Sequence, residues 1–384
     1  PAQARLAFEE LVAHQLSLRI VRAEFQKLRA IELKPPGKAY RKLLNAFEFS
    51  LTSAQNRVAN EIAQDLTRPL PTLRLIQGDV GSGKTVIAAL AATHACENNL
   101  QTVVMAPTEL LAEQHFINFT DWLNPIDITT AWLSSRVTGK KRHDELERIK
   151  TGQAEVIIGT HALFQNEVEF KNLALIIIDE QHRFGVHQRL ALRDKGVNIN
   201  TSPHQLIMTA TPIPRTLSMS VYADLDVSVI DELPPGRKPV TTTIIPDERR
   251  DTVIVRVAEA CSAGRQVYWV CTLIEESEAL QCQAAEVTAR ELNKLIPNVN
   301  IGLVHGRMNP VSKTAVMNDF KSGHLDLLVA TTVIEVGVDI PNASLMIIDN
   351  SERLGLAQLH QLRGRVGRGS KESHCVLIYK RPLS

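Results

Sequence analysis

At roughly 150 residues per domain, a chain of 384 residues calls for two or three domains. Its 44 % hydrophobic and 22 % charged residues are enough for a buried core in each, which excludes a mostly disordered protein. No apolar run approaches the roughly 18 residues of a membrane span, and 43 Lys/Arg against 42 Asp/Glu leave +1, so any nucleic-acid surface must come from local arrangement.

Leu6, Leu11, Leu16, Ile20, Phe25 and Leu28 recur at helical spacing through residues 2–29, ahead of the breaker Pro35-Pro36-Gly37. The first fifty residues hold nine basic against five acidic side chains, which reads as a solvated linker helix packed on the domain that follows. From Leu51 short apolar runs alternate with helical stretches. Strands are predicted at 73–76, 102–106, 156–158, 175–178 and 205–208. Leu233-Pro-Pro-Gly-Arg-Lys-Pro239 then interrupts the series as a hinge. The rhythm restarts with strands at 240–245, 266–271, 300–304, 325–330, 345–348 and 374–379. Runs apolar on both faces and separated by helices mark parallel sheets covered by helices. The expected fold class is α/β, with a helical linker segment at 1–48 and two parallel-sheet domains at 49–232 and 233–384.

Cys96, Cys261, Cys271, Cys282 and Cys375 are odd in number and form no Cys-x-x-Cys pair, which argues against a disulfide framework or structural zinc. With no secretory segment after Pro1, the chain reads as a piece of a longer cytoplasmic protein.

Chemistry concentrates in three places. Gly78-Asp79-Val80-Gly81-Ser82-Gly83-Lys84-Thr85 follows a predicted strand and opens a helix, the context a phosphate-binding loop requires. Its glycines let backbone N–H groups turn around phosphate oxygens, and the helix N-terminus adds positive potential. Lys84 is expected to reach the β and γ phosphates and the Thr85 hydroxyl to ligate Mg²⁺, making ATP and Mg²⁺ the expected cofactors. A second acidic element, Asp179-Glu180, ends the 175–178 strand at the sheet edge where open α/β folds bind ligands. There Asp179 would hold Mg²⁺ and Glu180 would orient and deprotonate the attacking water. The third is Gln361-Leu-Arg363-Gly-Arg365-Val-Gly367-Arg368, whose planar, permanently charged guanidinium groups suit a developing phosphoryl charge. Arg365 and Arg368 are the expected arginine fingers; contact with a phosphate backbone is the alternative. Gln55, in Leu51-Thr-Ser-Ala-Gln55, starts a helix capped by Thr52 or Ser53. It reads either as an exposed helix glutamine or as an amide matched to adenine.

Taken in order, the phosphate loop, Ala106-Pro-Thr-Glu-Leu110, Gly159-Thr-His161, Asp179-Glu-Gln-His182, Thr209-Ala-Thr-Pro212, residues 330–339 and Gln361–Arg368 resemble the superfamily 2 helicases and translocases. The resemblance covers nearly everything from Phe49 to Tyr379. Asp179-Glu-Gln-His-Arg-Phe-Gly-Val-His-Gln-Arg189 and Thr209-Ala-Thr-Pro-Ile-Pro-Arg-Thr-Leu217 are similar, more narrowly, to the RecG family of branched-DNA helicases. The transcription-repair coupling translocases share the Ile-Pro-Arg-Thr extension but usually read Asp-Glu-Glu-His, where this chain has Gln181. RNA helicases commonly read Asp-Glu-Ala-Asp.

The resemblance implies two RecA-like domains and an ATP-driven motor on branched duplex DNA, serving fork regression and Holliday-junction migration in repair and recombination. It implies a cytoplasmic monomer, with a single-stranded-DNA-binding protein as a further partner. Gln55 would read adenine with Phe49 stacked on the base, and Gly337 and Asp339 would approach the nucleotide, Asp339 at the ribose. Gln181, His182, Thr209 and Thr211 would relay the nucleotide state towards DNA. Pro107, Thr108, Glu109, Gly159, Thr160, His305, Gly306, Arg307 and Thr331 would follow the sugar-phosphate backbone, which positions a strand without reading it. Each has a plainer alternative: Pro107 and Gly159 as turns after strands, Thr331 as a helix cap. RecG proteins ordinarily also carry an N-terminal oligonucleotide-fold wedge and a C-terminal helical hairpin. Neither is legible here, so the chain is expected to bind ATP but to unwind junctions poorly. The alternatives kept open are a transcription-repair motor and a nucleotide-gated nucleic-acid clamp that never turns over.

Overall fold

The structure, a computed structural model, describes residues 5, 8–13, 16, 19, 29–180, 195, 201–210, 225–234, 237–272, 278–332, 340, 342–367, 369 and 372–381. Six candidate site residues, Gln181, His182, Thr211, Gly337, Asp339 and Arg368, lie outside them. The chain divides into two units, Pro1–Leu233 and Pro234–Ser384.

The first unit contains α1 (Lys38–Ala46), α2 (Ser53–Leu66), β1 (Leu73–Gly78), α3 (Lys84–Cys96), β2 (Gln101–Met105) and α4 (Glu109–Leu123). It continues through β3 (Thr130–Leu133), α5 (Gly139–Thr151), β4 (Val156–Gly159), β5 (Leu173–Asp179), β6 (His204–Thr209) and β7 (Asp226–Ile230). Its seven strands form one parallel sheet in the order β3-β4-β2-β5-β6-β1-β7. The alternation of a strand assigns its two faces to two cores. Leu175 and Ile177 join the cluster around α2, α3 and Phe119, whereas Ile176 and Ile178 join the one containing Val103, Ile157 and Leu163. Every residue of β5 is buried, the burial expected where helices cover both faces of a parallel sheet. Each such isoleucine contributes about 1.5–3 kcal/mol.

α3 is buried almost all round. Its alanine-rich sequence, Lys-Thr-Val-Ile-Ala-Ala-Leu-Ala-Ala-Thr-His-Ala-Cys, combines high helix propensity with side chains small enough for close packing. Residues 30–37 pack against this unit. Ala30 N–H donates to Pro69 O (2.9 Å) and Leu33 N–H to Leu66 O (3.0 Å), while Leu33 and Leu43 enter the α2–α3 core. The Glu97 carboxylate accepts from the N–H groups of Gly37 (2.8 Å) and Ala39 (2.7 Å), so an acid satisfies the positive end of α1. β1, α2 and β7 are joined by a buried ionic cluster. Arg74 Nε donates to Asp65 Oδ2 at 2.6 Å and Arg74 Nη1 to Ser228 Oγ at 2.8 Å.

The second unit runs β8 (Thr241–Pro246), α6 (Arg250–Ser262), β9 (Gln266–Cys271), α7 (Glu278–Leu295), β10 (Ile301–Val304), α8 (Pro310–Lys321), β11 (Leu327–Ala330), β12 (Ala343–Asp349), α9 (Leu356–Arg363) and β13 (His374–Tyr379). Six parallel strands are ordered β10-β11-β9-β12-β13-β8. Trp269 and Tyr268, adjacent on β9, fill its two opposite cores. The Trp269 indole Nε1–H donates to Asp349 Oδ2 (3.0 Å), and Arg250 lies over the indole ring (5.2 Å to its centroid) while pairing with the same carboxylate at 3.3 Å. This lock fixes the carboxyl end of β12.

No helix among the described residues is long and apolar enough to cross a membrane.

Candidate nucleotide and nucleic-acid site

The phosphate loop follows β1 and leads into α3. Gly81 and Gly83 take φ of +75° and +93°, conformations open to glycine without a Cβ penalty. Gly83 is the residue before α3, so the left-handed turn aims the helix N-terminus at the loop. Lys84 is buried, and its ammonium donates to the carbonyls of Gly78 (2.6 Å) and Asp79 (2.9 Å). Thr85, one residue on, is half-buried in the first turn of α3.

Gln55 is buried rather than exposed. Thr52 and Gln55 form a capping box at the start of α2: Gln55 N–H donates to Thr52 Oγ1 (3.2 Å) and Thr52 N–H to Gln55 Oε1 (2.9 Å). The other end of the amide reaches the phosphate loop, with Nε2 donating to Ser82 O at 2.8 Å. Gln55 thus braces the loop; one N–H and one lone pair of its amide remain in its bonding inventory for another partner. Phe49 is half exposed and stacks on Phe47 with centroids 5.1 Å apart and planes 16° apart.

β5 ends at Asp179, which is buried beside His115 of α4; Nε2 of the ring lies 2.8 Å from Asp179 Oδ2. Burial pushes the Asp179 carboxyl up, but the hydrogen bond and electrostatic attraction of His115, then the charge of Lys84, outweigh it and hold Asp179 below the usual carboxylate range. The next residue, Glu180, sits at φ +50°, a left-handed conformation that costs a non-glycine residue about 1–3 kcal/mol. That turn swings its carboxylate over to the end of β6, where it accepts from Ala210 N–H (3.3 Å) and Thr209 Oγ1 (3.4 Å). Two adjacent acids are therefore separated into different roles: Asp179 faces Lys84's charge, and Glu180 is tied to Thr209.

The donors fit magnesium. A threonine hydroxyl and a carboxylate are hard oxygen ligands, and magnesium carried by phosphates commonly takes only one or two carboxylates from the protein.

Sheet order sets out the rest of the edge. Pro107, Thr108 and Glu109 follow β2, Gly159 ends β4 and Thr160 follows it, so they share one sheet edge with Asp179 but lie towards its β3 end. Thr108 caps α4 by accepting from Leu111 N–H (3.4 Å). Gly159 has a packing reason to be glycine, because a Cβ there would lie 2.0 Å from Leu133 O. Thr160 is buried, and its Oγ1 has no hydrogen-bond partner among the described residues. Glu109 pairs with Arg136 (2.5 Å) and accepts from Ser135 Oγ (2.6 Å), so this acid holds an arginine that is itself half exposed. With exposed Lys140 and Lys141 in the first turn of α5, Arg136 gives that end of the edge a local positive charge which the net charge conceals.

In the second unit His305, Gly306 and Arg307 follow β10 and Thr331 follows the neighbouring β11, with Thr331 N–H donating to Val304 O (3.3 Å). His305 Nε2 lies 3.7 Å from Glu286, and Arg307 is exposed. Arg365 leaves α9 in a turn closed by its N–H to Leu362 O (2.9 Å).

Two of these residues were not legible as site residues. His115 stands two helical turns into α4 with nothing in its spacing to single it out, and Arg136 lies in a stretch with no motif. The local run Gly139-Lys-Lys-Arg142 is the signal that would have drawn attention to the second.

Residues 52–220 match the family described as DEAD/DEAH box helicase, and residues 252–370 the family described as helicase conserved C-terminal domain. Together with two parallel sheets and a phosphate loop, they define the class: paired RecA-like domains of superfamily 2. The ATP-dependent DNA helicases RecG of Pasteurella multocida (strain Pm70) and Escherichia coli (strain K12) are 61 % and 62 % identical over 100 % of this chain. The chain spans 55 % and 56 % of their lengths. The solved structure of RecG bound to a three-way DNA junction superimposes with a TM-score of 0.83 at 41 % identity, over 99 % of this chain and 50 % of that one. Over its whole length the chain is similar to these RecG helicases.

Proposed function

We propose that this chain is the ATP-driven motor of a DNA helicase that acts on branched duplex DNA, regressing forks and migrating Holliday junctions in repair and recombination. The observation that carries the reading is the division of one sheet edge. The phosphate loop after β1 and Asp179–Glu180 after β5 occupy one part, and Thr108, Thr160 and the Arg136–Lys141 charges occupy the β3 end. A nucleotide site and a phosphate-backbone track on one rigid sheet are what a translocating ATPase needs. The RecG relatives named above support the choice of branched DNA.

In this reading Gly78–Thr85 binds the ATP phosphates, and Thr85 and Asp179 hold the Mg²⁺ that offsets their charge. Glu180 orients and deprotonates the attacking water. Arg365 and Arg368 serve as arginine fingers, and Phe49, Gln55, Gly337 and Asp339 serve the base and ribose. Thr209, already bonded to Glu180, carries the change at the cleavage point towards DNA, with Gln181, His182 and Thr211. Pro107, Thr108, Glu109, Gly159 and Thr160 line that backbone track, and His305, Gly306, Arg307 and Thr331 contact the sugar-phosphate backbone from the second unit. The setting is the cytoplasm, with monomeric action and a single-stranded-DNA-binding protein as a further partner.

The test is phosphate release by the chain with forks, four-way junctions and linear duplex. Branched DNA is expected to stimulate turnover more than duplex does. Lys84→Ala is expected to abolish turnover, and Arg365→Ala and Arg368→Ala to reduce it with nucleotide binding largely retained. Turnover in Lys84→Ala equal to the parent's refutes the motor, and equal stimulation by duplex and junction refutes the branched substrate.

A further inference from the structure

α4 carries Thr108 at its N-terminus and His115 about 10 Å further along its axis, at 1.5 Å per residue. The His115 ring is buried, with Phe119 meeting it edge-on (6.4 Å between centroids, 85° between planes). Its Nδ1 has no hydrogen-bond partner among the described residues, so its one polar contact there is Asp179 Oδ2 at 2.8 Å. A buried nitrogen without a partner costs about 1–3 kcal/mol, so packing alone would favour a leucine at this position. What the imidazole does that leucine cannot is donate to the carboxylate, which as an ion offers only acceptors.

We propose that His115 is a positioning residue for Asp179: its Nε2–H engages Oδ2 and, beside the Glu180 backbone N–H, fixes the rotation of the carboxylate that would hold the hydrated magnesium ion accompanying the nucleotide. The inference rests on the ATP-motor reading above and deepens it by naming what orients the carboxylate. A ligand carboxylate held by a buried partner is pre-organised, and loss of such a partner typically lowers metal affinity by 10–100-fold.

The test is a Mg²⁺ titration of fluorescent-ATP binding, read by anisotropy against an EDTA baseline, in the wild-type chain, His115→Leu and His115→Gln. His115→Leu fills the space without a donor, and its Mg²⁺ midpoint is expected to rise about tenfold while its EDTA-baseline binding stays at the wild-type value. His115→Gln keeps an N–H donor and is expected within about threefold of wild type. Should His115→Leu fail to fold, His115→Asn replaces it, since its shorter amide stops short of Asp179. An unchanged midpoint in the donor-free variant, or a glutamine variant no better than it, overturns the role of His115 alone. A wild-type chain whose nucleotide binding ignores Mg²⁺ overturns the ATP-motor reading as well.

Discussion

Position 83 and Gln55 compete for one small space: a Cβ at Gly83 would lie 2.3 Å from Gln55 Nε2. The same Nε2 donates to Ser82 O, and Gly83 itself sits at φ +93°. Glycine is thus demanded twice, by the backbone and by the glutamine that braces the loop.

Gly83→Ala is expected to cost about 1–3 kcal/mol from the backbone alone, with a further steric part that belongs to Gln55. In a urea-denaturation double-mutant cycle, Gln55→Ala is expected to relieve that part, so the double variant loses less than the two single losses added together. Strict additivity would show that the two positions do not share the space.

The ion pairs of the first unit are expected to differ sharply in worth. Asp65→Ala leaves the buried Arg74 guanidinium short of its closest partner and is expected to cost about 3 kcal/mol. Arg57→Ala breaks a pair with Asp231 whose side chains are 49 % and 61 % exposed, and is expected to leave the unfolding midpoint nearly unchanged. Chemical denaturation of both variants checks the contrast.

The proposed backbone track makes a salt-dependence prediction. Lys140→Glu with Lys141→Glu is expected to weaken DNA binding at low salt and to make the slope of log affinity against log salt shallower by about two. An unchanged slope would place the DNA elsewhere on the chain.

Burial pushes the thiols of Cys261, Cys271 and Cys375 up to about 12. At pH 8 each is then thiolate only about one part in ten thousand of the time, and thiolate is the reactive form. All five cysteines are buried, so a disulfide reagent at pH 8 is expected to label the folded chain slowly and the urea-unfolded chain at once.

The strands that cover the middle of both sheets were plain in the sequence, because a strand buried on both faces is an unbroken apolar run. The two that were not foreseen, β3 and β7, are the two edges of the first sheet. β7 is partly exposed and reads Asp-Val-Ser-Val-Ile, a mixture that no apolar-run rule selects, while β3, though largely buried, is only the four residues Thr-Ala-Trp-Leu. β8, also an edge, was visible through its β-branched Thr-Thr-Thr-Ile-Ile. The phosphate loop was legible because its chemistry fixes spacing within eight consecutive residues. His115 was not, because it meets Asp179 across 64 positions and only the packing of α4 against the sheet brings them together. The bracing by Gln55 was hidden for the same reason: its capping role is local, but its bond to Ser82 is tertiary.

The chain enters the second sheet at Thr241 on β8 and leaves it at Tyr379 on β13, and these strands are parallel neighbours registered from Thr241↔His374 to Pro246↔Tyr379. Tension applied between those two points drags the strands lengthwise in opposite directions. The whole ladder then bears the pull at once, as a lap joint does, instead of being peeled open one rung at a time. A unit threaded in this way can transmit mechanical force along its own backbone.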